Sequence, residues 1–148
     1  MHPLVEQIEE LFLPELEHLA SQMQAEFPSL RFNVWHSRTG ALTPYQGYDI
    51  GLECVFPQAA LNAPNNVALG INLCHLTSTP RLMADVVWGH PSGHSEAEFK
   101  DWSKIADWPE AKPETIKELR RTFPTLVQAF ESAVGLENMP MQATRRIR

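Results

Sequence analysis

The chain has 148 residues, 43% hydrophobic and 20% charged, with a formal net charge of −6. That length suits one domain (1–148) able to bury its own core, and no apolar stretch approaches the roughly eighteen residues a membrane span needs. Three of the twelve cations are the terminal Arg145, Arg146 and Arg148, so the body sets nine cations against eighteen acids. A body that acidic repels phosphate backbones, and a nucleic-acid partner is not expected.

Residues 3–26 read as a helix. Pro3 suits a first helical position, and Leu4, Ile8, Leu11, Leu16, Leu19 and Met23 recur at helical spacing. Pro14 predicts a kink or break near Phe12 and Leu13. Glu6, Glu9, Glu10, Glu15 and Glu17 supply the solvated face. The N-terminus is acidic within ten residues and lacks a basic stretch, so it does not read as a signal peptide.

The sheet is expected across 30–90. Segment 31–36 is a first strand, with Phe32, Val34 and His36 on one face and Arg31, Asn33 and Trp35 on the other. Segments 45–56 and 67–76 carry apolar residues at every second position. Pairing Phe56 with Val67, Cys54 with Leu69, Leu52 with Ile71 and Ile50 with Leu73 gathers every apolar residue on one face. Segment 81–88 is the fourth strand, and the short connections predict an antiparallel meander.

Ser95 and Glu98 have the spacing of a capping box, which predicts a helix over 96–106 that Pro109 stops. A last helix over 113–135 carries Ile116, Leu119, Phe123, Leu126, Val127, Phe130 and Val134. Pro124 should split it and Gly135 should end it, leaving 136–148 as a tail. The expected architecture is a two-layer α+β domain: a four-stranded antiparallel meander with the terminal helices on one face. Cys54 and Cys74 would lie roughly 17 Å apart along the ladder, as two free thiols suited to a reducing cytoplasm.

Extending the register makes outer-face rows of Asn33, Gly51, Asn72, Asp85, then Arg31, Glu53, Gly70, Val87, then Trp35, Asp49, Cys74, Met83. Glycine inside a strand often marks close approach by a ligand or another backbone. Trp35, Gly51, Gly70, Asn72, Asp85 and Val87 are therefore the candidate binding residues, for a protein partner or a second copy of the chain. The plainer alternative is a face covered by the chain's own C-terminal tail, with Arg31 and Glu53 an ordinary cross-strand pair.

Two further clusters could do chemistry. His90 and His94, beside Glu96 and Glu98, could hold a divalent metal, but Pro91 and Gly93 forbid a helix there and no third ligand stands at a definite spacing. His36, Tyr48 and His75 line one end of the inner row and could perform acid–base work, or simply form a polar rim. No glycine-rich phosphate loop or nucleophile–base pair accompanies them, and no motif calls for a cofactor. Trp102 and Trp108 read as core anchors. The acidic body, the missing catalytic constellation and the glycine-, Trp- and Met-bearing outer face favour a small interaction or regulatory module. The alternative is a small enzyme or a metal- or ligand-binding protein built on His36, Tyr48 and His75 or on the His90–His94 loop.

Overall fold

The computed structural model describes residues 3–37, 47–56, 66–74, 79–89 and 101–147; the side chains of 37, 66, 88–89, 101–105 and 137–147 are not described. The elements run α1 (Pro3–Glu26), β1 (Arg31–Ser37), β2 (Tyr48–Val55), β3 (Asn66–Cys74), β4 (Arg81–Gly89), β5 (Asp101–Trp108) and α2 (Pro113–Ile147). The strands form one antiparallel sheet in chain order, β1-β2-β3-β4-β5. The two-layer α+β architecture is as expected, with one strand more.

Helix α1 lies over β1 and β2, and α2 over β3, β4 and β5. Leu4, Val5, Ile8, Phe12, Leu16, Leu19 and Met23 form the buried stripe of α1. Leu119, Phe123, Leu126, Phe130 and Val134 do the same for α2. The helices meet through Phe12 and Phe123, whose ring centroids are 5.2 Å apart. Beneath them, Ile50, Leu52, Cys54, Val67, Leu69, Ile71, Leu73, Leu82 and Val86 are wholly buried. The Gln24 side chain closes the turn into β1, donating to the Leu30 carbonyl at 2.6 Å and accepting from the Phe32 amide at 3.3 Å.

Pro14 in α1 and Pro124 in α2 do not break their helices. Pro14 and Pro124 both face solvent, where the carbonyl each leaves without a donor can be hydrated. Gly135 does not stop α2 either; its backbone does not take the left-handed conformation of a C-terminal cap, and the helix runs on through the expected tail.

The largest correction falls on the segment read as a helix over 96–106, where 101–106 belongs to β5. Trp102, Ile105 and Trp108 are spaced in threes and imitate a helical stripe. A bulge causes this: Asp85 pairs with Lys104 and Ala84 with Ala106, so Ile105 is an extra residue that shifts the alternation by one. The proposed capping residues Ser95 and Glu98 lie outside the described residues. Among the described residues, no helix is long and apolar enough to cross a membrane.

Candidate functional site

Both helices sit on one face of the sheet, so the other face offers the candidate surface. Its composition is set by register. Observed pairs include Trp35 with Gly51, Ile50 with Ile71 and Gly70 with Asp85. Each of the three expected registers is therefore off by two residues. A slip of two preserves which side chains share a face and changes who stands beside whom. The expected Arg31–Glu53 pair is replaced by Arg31 opposite Val55 and Asn33 opposite Glu53, with Asn33 Nδ2 donating to Glu53 Oε1 at 3.4 Å.

The corrected register puts Trp35, Gly51, Gly70 and Asp85 in one continuous row across four strands. A side chain at Gly51 would collide with the six-membered ring of Trp35 and with the Leu69 carbonyl. A Cβ at Gly70 would lie 3.8 Å from Trp35 Cζ2 and 3.7 Å from Asp85 Oδ1. The indole thus lies across Gly51 and reaches Gly70, where the Asp85 carboxylate approaches from the opposite side. The close approach that the glycines permit is made by the chain's own tryptophan. Trp35 remains half-buried, as do Glu53, Val55, Ala68, Met83 and Val87 around it.

The next row holds Asp49, Asn72 and Met83. Asp49 keeps 7% of its surface exposed although neither α1 nor α2 covers this face. Burial pushes its carboxyl up to about 6; the nearby Trp35 indole N–H opposes that rise, and the negative charge of Asp85 reinforces it. The indole N–H nevertheless stands outside hydrogen-bond geometry. Trp35 Nε1 and Asn72 Oδ1 are both buried without a partner. Each orphaned group costs about 1–3 kcal/mol, so the cluster carries unmet hydrogen-bonding capacity. Asp49 escaped the sequence reading as a binding residue because an aspartate on an outer face looks solvated. The missing signal was its neighbour: a tryptophan one row away, whose indole N–H lies near its carboxyl.

Of the expected binding residues, Trp35, Gly51, Gly70 and Asp85 share one row. Asn72 stands in the adjacent row on β3, and Val87 lies opposite Ala68 on the other side.

At the far end of the inner face, Tyr48 and His36 come together through a third residue. Tyr48 pairs with Leu73 and His36 with Ile50, so neither faces the other across the ladder. Glu9 of α1 joins them: Tyr48 Oη donates to Glu9 Oε2 at 2.8 Å, and His36 Nδ1 lies 3.6 Å from the same oxygen. Tyr48 is wholly buried, and the Glu9 carboxylate satisfies its hydroxyl. Glu9 is four residues after Val5 and three before Phe12, a position that puts it on the buried stripe and could have exposed its role. His75, His90, His94, Glu96 and Glu98 lie outside the described residues. Among those described, no three His, Cys, Asp or Glu side chains are grouped to hold a metal.

Cys54 and Cys74 are free. Burial, with the charge of Glu53 adding to it, pushes the Cys54 thiol up to about 12, which leaves it protonated and poorly nucleophilic at neutral pH. Comparison with known protein families, curated protein sequences and solved structures finds no match to this chain.

Proposed function

We propose that this chain is a cytoplasmic protein-interaction module that docks a protein partner on the helix-free face of its sheet. The observation that carries the reading is the Trp35 indole braced over Gly51 and Gly70, with unpaired Trp35 Nε1 and Asn72 Oδ1 beside it. A rigid aromatic anchor ringed by half-buried Val55, Met83 and Val87 has the make-up of an interface centre, where a few large side chains carry most of the binding energy. The two free thiols support a reducing compartment.

Photo-crosslinking in the native cell tests this reading. A crosslinking amino acid at position 55 or 87, on the sheet, should give adducts that are absent when it is placed at 120 or 128, on the exposed side of α2. An adduct of twice the chain mass would identify the partner as a second copy. Adducts from α2 with none from the sheet would overturn the proposal.

A further inference from the structure

We infer that Asp49, Asn72 and Trp35 form the seat for a guanidinium group, supplied by an arginine side chain of the docking partner. The inference rests on the interaction reading above and names the chemistry that the face selects.

Three observations converge on this group. The first is a poorly compensated charge: Asp49 keeps only 7% of its surface exposed, and the donor beside its carboxylate, the Trp35 indole N–H, stands outside hydrogen-bond geometry. Near neutral pH an ionised carboxylate in that position demands a donor, and preferably a cation. The second is the Asn72 Oδ1 acceptor, buried and unpaired. Asp49 and Asn72 are direct cross-strand partners, so their backbones stand about 5 Å apart and their side chains leave the same face together. Two acceptors side by side match the planar donor fork of arginine better than the point charge of an ammonium. The third is the Trp35 indole one row away, which offers an aromatic surface for a guanidinium to stack against.

Other occupants fit less well. A neutral amide would satisfy Asn72 and leave the Asp49 charge standing. A metal ion would need more carboxylate or imidazole ligands than the described residues group together. Two of the chain's own cations on these strands, whose side chains are described, are placed elsewhere. Arg81 is held by Asp107 through Nε at 3.0 Å and Nη2 at 2.6 Å, and Arg31 lies opposite Val55, six positions along β2 from Asp49.

The test uses the whole chain labelled with ¹⁵N, in which the indole N–H of Trp35 is one of four tryptophan signals and is assigned by its loss in Trp35→Phe. End-blocked Gly-Arg-Gly is titrated into the millimolar range beside the same tripeptide carrying citrulline, which keeps the shape and removes the charge. The arginine peptide should shift the Trp35 signal saturably, and the citrulline peptide should not. Asp49→Asn should weaken binding about tenfold or more, as loss of one member of a buried charge pair does. Asn72→Ala should weaken it in the same direction, and serves alone should Asp49→Asn fail to fold. Equal response to arginine and citrulline, or undiminished binding by the folded variants, would overturn the seat. Guanidinium chloride binding as tightly as the peptide would assign it to a free guanidino compound and overturn the partner arginine. Crosslinks from positions 55 and 87 that persist at full yield in Asp49→Asn would remove the arginine seat while leaving the docking face intact.

Discussion

The two faces of the sheet solve opposite problems with the same five strands. On the inner face, Leu52, Leu69, Ile71 and Val86 are wholly buried and uniformly aliphatic, and two helices cover them. On the outer face, Gly51, Gly70, Asp49, Asn72 and Trp35 occupy the same strands, with polar atoms left unpaired and an aspartate buried. A surface selected only to hold the fold together would carry a side chain at Gly70, where one fits, and would keep Asp49 in water. The inner face therefore concentrates the stabilising burial, and the outer face spends some of it on an arrangement that stability does not require.

That difference has a direct measure. Leu69→Ala removes a fully buried side chain from beneath the helices and should cost about 3–4 kcal/mol, in the range of other buried leucine truncations. Val87→Ala, on the half-buried outer face, should cost below about 1 kcal/mol, because the site retains solvent contact and less apolar area is lost. Urea denaturation with an unchanged slope separates the two. Equal losses would mean that the outer face is as much a core as the inner one, and would erase the contrast.

Asp49 sharpens the contrast through pH. Its folded carboxyl titrates near 6 against an ordinary value of 3.8, so the folded chain holds this proton to higher pH than the unfolded chain does. The group's contribution is therefore most favourable below about pH 4, falls as pH rises to about 6, and above that costs on the order of 3 kcal/mol. Asp49→Asn abolishes the titration. The stability of Asp49→Asn relative to wild type should rise by up to about 3 kcal/mol between pH 4 and pH 7.5, read from denaturation curves at both values. A difference independent of pH would place Asp49 in a watery environment and remove the buried charge from the outer face.

The face assignments were legible in the sequence, and the neighbour relations were not. Alternation in 50–56 and 67–73 specifies which side chains point inward, and a register error of two leaves that specification untouched. Identical aliphatic residues two apart cannot choose between such registers. In the structure the Trp35 ring packs on Gly51 and reaches Gly70, a contact between strands that alternation does not encode. The fifth strand was hidden for a different reason: its bulge breaks the period of two on which strand recognition depends. Glu9 was read as a solvated acid because charge alone does not reveal that a tyrosine hydroxyl donates to it, and the row position of Asp49 did not reveal its burial.

The glycines give the smallest effect and the finest test of the Trp35 platform. At Gly51 an added methyl would meet both the indole and the Leu69 carbonyl. The carbonyl belongs to the backbone and cannot turn aside, so Gly51→Ala should cost about 2 kcal/mol, as overpacking does. It should also displace the Trp35 indole signal in a ¹⁵N spectrum. At Gly70 the same methyl finds its nearest neighbours at 3.7 and 3.8 Å, ordinary van der Waals contact, and the backbone is not in the left-handed region. Alanine there narrows the freedom of the unfolded chain, so Gly70→Ala should be neutral or stabilise by up to about 0.5 kcal/mol. Two glycines facing each other across one ladder should thus answer the same substitution with opposite sign. If the Trp35 signal stays in place in Gly51→Ala, the indole does not rest over Gly51, and the outer face loses the anchor on which its proposed binding role depends.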